Sequence, residues 1–240
     1  MFTDRFSGYS GETIECERGG IRFVATLHAD DDMTPPWERE DGHGPVSDWR
    51  ARNYAGRYDK APGDLKLCDD GGSVYHGRAR FYDFAEACKI ARRDGWGYIP
   101  DPMTALQNSG GKWYAWFGNG HAPGCNVGGF DSESKAVAAL HDAHRATMTP
   151  RQYAAAAAMA DYDRLRKWCD DQWQYAGVAV QAFVEDLPLT GEFDHALWGI
   201  ESDAGDYLTE TANDYLDECD AAARAAAVAM GTRLAALVSA

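Results

Sequence analysis

Four residues, Thr149-Pro150-Arg151-Gln152, constrain the fold more than any others in the chain. Threonine is a strong N-cap, proline is pre-set for the first helical position, where its missing N–H costs nothing, and glutamine at N3 reaches back to the cap. The tetrad predicts a helix from 150 to about 171, favoured further by the alanines at 154–158. Beyond it, 178–184 (VAVQAFV) has the β-branched content of a strand, 187–191 makes a turn, and 193–200 supplies a second strand. Ser202 or Asp203 then stands where an N-cap belongs, ahead of a last helix running past Ala223. The C-terminal region reads helix, hairpin, helix.

Upstream, two apolar-rich runs, 12–16 and 21–30, flank Glu17-Arg18-Gly19-Gly20 and predict an antiparallel hairpin. From 31 to 63 no period survives, and prolines at 35, 36, 45 and 62 with glycines at 42, 44, 56 and 63 mark a long structured loop. Strands over 65–68 and 73–80 are expected to pair across Asp69-Asp70-Gly71-Gly72. A helix over 81–94 follows, with Phe84, Ala87, Cys88 and Ala91 on one face and Gly95 behind it. Its Lys89, Arg92 and Arg93 complement the helix dipole. A strand at 113–117, a Gly-rich loop through Gly129 and a helix from Asp131 or Ser132 to about Thr147 complete the pattern. The fold class is α+β: antiparallel hairpins with packed helices. No repeat or linker is visible. The expected division lies near 148, between an N-terminal α+β region (1–148) and an acidic C-terminal region (149–240), unless both share one continuous domain.

Hydrophobic residues make up 45% of the 240, and 29 are aromatic, enough for a real core and too many for wholesale disorder. The first residues, with an acid at Asp4, do not read as a secretory signal, and the alanine-rich runs 154–160 and 225–230 fall short of the ~20 residues of a membrane span. A soluble, cytoplasmic protein without a membrane partner is expected. Cys16, Cys68, Cys88, Cys125, Cys169 and Cys219 form no CxxC pair, which favours buried reduced thiols over disulfides. Gly-rich pieces such as Gly118-Asn119-Gly120 and Gly128-Gly129 match no phosphate-binding loop, and no GxSxG elbow is present, so neither nucleotide nor hydrolase chemistry is indicated.

The charge is uneven. Overall it is −15, which opposes direct binding of a polyphosphate backbone. Between Lys167 and Arg224 lie 56 residues with 14 carboxylates and no Lys or Arg. Asp203, Asp206, Glu210, Asp214 and Asp217 recur every three or four residues, opposite an apolar stripe of Leu208, Ala212, Tyr215, Leu216 and Cys219. With Glu218, Glu201 and Asp194 they are the candidate partner-binding residues. Carboxylates at i, i+4 rise about 6 Å per step, within a factor of two of the roughly 3.4 Å charge spacing along a DNA strand. Such a stripe is either a solvated face or a surface that meets a basic patch.

Two clusters suggest metal. In 30–49, Asp30, Asp31, Asp32, Glu38, Glu40 and Asp41 accompany His43, a donor set of imidazole and carboxylates. The favoured reading is instead an irregular loop anchored by Trp37 and Trp49, with His43 hydrogen-bonded to backbone. His141 and His144, with His121 and Cys125, are potential zinc donors. Their shared face with Val137, Leu140 and Met148 favours partly buried, hydrogen-bonded histidines. No metal or cofactor and no catalytic residue is assigned.

The runs TPPWEREDGHGPVSDW (34–49), FYDFAEACKIARRDGWG (81–97) and HALWGIESDAGDYL (195–208) resemble a family of proteins encoded by bacteriophages, prophages and plasmids of Gram-negative bacteria. The resemblance covers most of the chain but transfers no activity and no site residues. It implies an accessory protein made in host cytoplasm. With the acidic stripe it leads to the expectation of a non-enzymatic binding protein. Its partner would be a host protein with a basic nucleic-acid-binding surface, such as a restriction or CRISPR component, which it inhibits by imitating DNA. The alternatives are a metal-dependent enzyme using 30–49 and a structural phage factor whose acidity only aids solubility.

Overall fold

The hairpin expected at Gly19-Gly20 opens the structure, a computed structural model that describes residues 1–39, 41–72, 76–98, 103–118 and 120–239. In chain order the elements are β1 (Thr13–Arg18), β2 (Ile21–Ala29), α1 (Pro36–Arg39), β3 (Arg50–Ala51), β4 (Asp64–Asp69), β5 (Arg78–Asp83) and α2 (Phe84–Asp94). There follow β6 (Met103–Gln107), β7 (Trp113–Phe117), β8 (Asn126–Phe130), α3 (Glu133–Ala146), α4 (Pro150–Cys169), β9 (Tyr175–Val184), β10 (Leu187–Pro188), β11 (Ala196–Glu201) and α5 (Asp206–Val238). The class is α+β, with antiparallel pairing throughout these strands.

The elements group into two compact units: a terminal unit of Met1–Thr34 with Asp171–Ala240, and a central unit of Pro35–Asp170. This differs from the division expected near 148. The reason is β2, which pairs with β9 from Arg22↔Phe183 to Ala29↔Ala176 and so joins the two ends of the chain. In the terminal unit the order is β1-β2-β9, with β10 and β11 both along the far edge of β9. Phe23, Ala25 and Leu27 of β2 and Val178, Val180 and Ala182 of β9 are fully buried in one cluster with Leu208, Ala212, Leu216, Cys219 and Ala223 of α5. Each such leucine or phenylalanine contributes about 1.5–3 kcal/mol of transfer free energy.

The helix α5 has no side-chain N-cap bond; Gly205 occupies the cap. Ser202, expected there, is buried and committed elsewhere. Its N–H donates to the Gln174 carbonyl at 2.8 Å, and its hydroxyl accepts the Gln174 N–H at 3.1 Å. The helix also runs further than the apolar stretch 225–230 suggested. By length and composition it is long and apolar enough to cross a membrane, none of its residues beyond Ala223 is buried, and Val228, Leu234, Leu237 and Val238 are exposed.

The central unit holds α4, the helix of the opening tetrad, and its capping box is formed: the Thr149 side chain accepts from Gln152 N, and the Gln152 side chain accepts from Thr149 N. Ala158, Tyr162 and Leu165 of α4 pack with Leu67, Tyr82 and Ala87, which assigns α4 to this unit rather than to the hairpin that follows it. The sheet is ordered β3-β5-β4. The strand β5 continues to Asp83, beyond the helix start expected at 81, because Phe81 and Tyr82 are buried and paired with Lys66 and Leu65. Asp83 caps α2, accepting the Glu86 N–H at 2.9 Å. Residues 73–75 of the expected strand lie outside the described residues, as do Glu40 and Asn119.

A second sheet, β6-β7-β8, packs α3 on one face through Ala115, Phe117, Ala136 and Leu140. Ser132 caps α3 as expected. The Gly-rich loop expected through Gly129 instead contains β8. Gly128 lies opposite Tyr114, and a Cβ on it would sit 2.1 Å from the Tyr114 ring, so glycine here makes room for an aromatic side chain. All six cysteines are free, but only Cys219 is buried; the other five are partly exposed, against the expectation of buried thiols.

Candidate partner-binding surface

The division into units separates the charge completely. The terminal unit carries 20 carboxylates against 5 Lys or Arg, a net of −15, while the central unit carries 18 of each and is neutral. The acidity expected of residues 151–240 is therefore a property of the terminal unit. Its N-terminal segment, residues 1–34, contributes seven further carboxylates, and Asp161, Asp163 and Asp170 of the central unit are balanced within it.

The acidic residues of α5 are placed by the same period that buries its apolar stripe. At about 100° per residue, Asp206, Asp217, Glu210, Asp214 and Glu218 fall within an arc of about 120°, opposite Leu208, Ala212 and Leu216, and all five are exposed. The sequence contains no base near them, yet the fold supplies two. Arg5 reaches Asp206 at 2.8 Å, and Arg18 reaches Asp217 at 2.6 Å and Asp220 at 3.7 Å. The hydrogen bond to Asp217 raises the Arg18 pKa further above its ordinary value. Asp220 also binds Arg224 at 2.8 Å. The N-terminal segment is held along this side of α5 by Phe2 N–H to Asn213 Oδ1 at 2.8 Å and Phe6 N–H to Thr209 Oγ1 at 3.3 Å.

What remains is narrower than the stripe read from sequence. Glu210, Asp214 and Glu218, at i, i+4 and i+8, make no ion pair with a described residue. Asp214 and Glu218 also border a groove of about 310 Å³ whose other walls are Leu197, Tyr207, Thr211 and Tyr215. Tyr207 is 49% exposed. Two carboxylates beside two phenol rings are the chemistry with which a guanidinium or ammonium group makes both a charge-assisted hydrogen bond and a cation–π contact.

Three other candidates lie off this face. Asp194 accepts the Gly191 N–H at 2.9 Å and so shapes the 191–194 turn. Glu201 is half-buried at the end of β11, paired with Tyr175. Asp203 is exposed in the turn before α5 and is not part of the helix. The periodicity that selected the helix residues had no power over Asp194 and Glu201, and it wrongly carried Asp203 into the stripe, since all three precede the helix.

The 30–49 segment is divided between the units, Asp30, Asp31 and Asp32 in one and His43 in the other. Where a backbone bond was expected, the His43 ring bonds the Asp161 side chain of α4: Nδ1 lies 2.5 Å from Oδ1. The same carboxylate accepts the Gly44 N–H at 2.8 Å and the Tyr82 hydroxyl at 2.7 Å. Burial, with the Asp161 charge beside it, keeps the Tyr82 hydroxyl protonated far above its ordinary range. A Cβ on Gly44 would lie 2.5 Å from Tyr82 Oη, so only glycine lets the loop reach this carboxylate. Trp37 packs edge-on to Trp168 at 5.4 Å, whereas Trp49 is 38% exposed and lies beneath Arg78 and Arg80 rather than anchoring the loop in a core.

His141 and His144 pack against Phe117 at 5.8 and 5.3 Å, and Cys125 Sγ stands 3.9 Å from His144 Nδ1. Both are partly buried as expected, and His144 is hydrogen-bonded through Nδ1, while the buried Nε2 atoms of both make no hydrogen bond to a described residue. Among the described residues no three His, Cys, Asp or Glu side chains converge as a metal set. Sequence reasoning missed a concavity of about 840 Å³ on β6-β7-β8, lined by Leu106, Tyr114, Trp116, His121 and Asn126 among others. No family model matches this chain, no curated protein is similar to it in sequence, and no solved structure is similar to it in fold.

Proposed function

We propose that this chain is a binding protein that presents the acidic face of α5 to a basic, nucleic-acid-binding surface of a host protein and blocks it. The observation that carries the reading is the charge segregation: −15 on the terminal unit and zero on the central one. A net negative charge needed only for solubility has no reason to fall wholly on one unit and leave the other neutral. A field concentrated on one unit orients an encounter with a cationic surface and raises its rate.

Glu210, Asp214 and Glu218 are the contact residues in this reading, because Asp206, Asp217 and Asp220 are already engaged by Arg5, Arg18 and Arg224. The groove beside Asp214 and Glu218 takes an arginine or lysine of the partner. The resemblance to proteins of mobile elements supplies the setting, in which a host defence component is the natural target and the host cytoplasm the compartment.

The test is capture of partners from a bacterial host lysate by the wild-type protein and by Glu210→Gln/Asp214→Asn/Glu218→Gln, followed by affinity measurement over a salt series. The expected result is a nucleic-acid-binding protein displaced by DNA, with affinity that falls steeply with salt and drops at least tenfold in the triple variant. Undiminished binding by the folded triple variant, or affinity indifferent to salt, overturns the proposal.

A further inference from the structure

The central unit brings together two thiols that the sequence separates by 101 residues, Cys68 in β4 and Cys169 at the last position of α4. The two thiols stand near enough for each to shift the other's ionisation. Cys169 packs on the apolar cluster that contains Leu65, Leu67 and Leu165, so helix end and strand share one support. About two turns earlier, the Tyr162 hydroxyl donates to the Lys66 carbonyl at 2.7 Å and holds α4 along β4. Arg80 stands opposite Cys68 in the β4–β5 ladder. Both thiols are partly exposed, which admits a small oxidant.

We propose that Cys68 and Cys169 are a redox-active dithiol, a modification site at which hydrogen peroxide or a small hydroperoxide closes a disulfide between β4 and the C-terminal end of α4. Cys68 is the attacking sulfur. The neighbouring Cys169 thiol, the Arg80 N–H and the Arg80 charge lower its pKa below that of an ordinary thiol, which favours the thiolate. Cys169 is pushed up by the neighbouring Cys68 and by burial, and it stays protonated until the second step.

The chemistry balances. The Cys68 thiolate attacks one peroxide oxygen, the O–O bond breaks, and a sulfenic acid forms as hydroxide leaves and takes a proton to become water. The Cys169 sulfur then attacks the sulfenic sulfur. The S–S bond forms, the S–O bond breaks, and the departing hydroxide leaves as water with the Cys169 proton. Two thiols and one hydrogen peroxide give one disulfide and two waters, the sulfurs losing the two electrons that reduce the peroxide.

The full chain, fully reduced, is treated with one equivalent of hydrogen peroxide at pH 7 and analysed by intact mass and non-reducing peptide mapping. The expected result is a loss of about 2 Da and a cross-linked peptide containing Cys68 and Cys169. Cys88 and Cys219, whose thiols burial pushes up, remain reduced. Cys169→Ser should instead accumulate a sulfenic acid at Cys68 that dimedone traps. A measurement that needs no variant is the rate of iodoacetamide labelling at pH 7, in which Cys68 should react at least tenfold faster than Cys88. Free thiols at both positions after excess peroxide, a disulfide between other cysteines, or labelling of Cys68 no faster than that of Cys88 overturns the proposal.

Discussion

Replacing Asp161 by asparagine should destabilise the protein by about 2–3 kcal/mol, although the change is nearly isosteric. The carboxylate is 9% exposed and accepts from three donors, with the Gly44 N–H and Tyr82 hydroxyl on one oxygen and His43 on the other. An amide oxygen can replace only one of these acceptors. Placed toward Gly44 and Tyr82, it keeps two bonds, each weakened by about 1 kcal/mol because hydrogen bonds to a charged acceptor are worth roughly 1.5–3 kcal/mol and neutral ones 0.5–1.5. The NH₂ then faces His43 Nδ1, which accepts only in the other tautomer, so the charge-assisted contact is lost outright. A neutral amide costs less to bury, which offsets part of the loss. Urea unfolding followed by tryptophan fluorescence, with a double-mutant cycle to Tyr82→Phe, measures both the cost and the coupling, expected at 0.5 kcal/mol or more for groups in contact. A cost below about 0.5 kcal/mol, typical of a substitution away from structural features, or additive effects of the two changes, would refute the reasoning. It would return 35–49 to an unanchored loop.

Two further outcomes follow from local geometry. Asp70, which accepts the Arg78 backbone N–H at 2.9 Å and the Arg78 side chain at 3.0 Å, is held at about pKa 2, so its contribution is complete above the unfolded carboxylate value and is lost as pH falls toward 2. A carboxyl NMR titration should place its midpoint near 2, and a midpoint near 4 would remove the effect. Thr149→Ala deletes the side-chain half of a formed capping box and should cost about 1 kcal/mol, read as a lower Tm; an unchanged Tm would mean that packing alone holds the start of α4.

Much of the local structure was legible in the sequence because its causes are local. The Thr149–Gln152 box, the Ser132 cap, the Gly19-Gly20 turn and the apolar stripe of α5 each depend on groups within a few residues or on a fixed helical period. Where a residue had two possible employments, the local signal misled: Ser202 is spent on Gln174 rather than on a helix N-terminus. Gly128, read as loop, is a strand residue because the Tyr114 ring needs the space. The strand β6, with an exposed and weakly alternating MTALQ, left no pattern to find.

The sequence by itself determined the α+β class, the helix–hairpin–helix order of its last third and the abundance of carboxylates there. Only the tertiary structure decided how those pieces group. Several strands have similar patterns, and nothing local selects β9 as the partner of β2; that choice is made by which pairing buries Phe23, Leu27, Val178 and Val180 together beneath α5. From that one non-local pairing follow the placement of the whole net charge on the terminal unit and the neutralisation of Asp206 and Asp217 by Arg5 and Arg18. The packing of α4 on β4 and β5 in turn brings His43 to Asp161 and Cys68 to Cys169. Contacts between residues a hundred positions apart are set by a shared core, and no spacing along the chain encodes them.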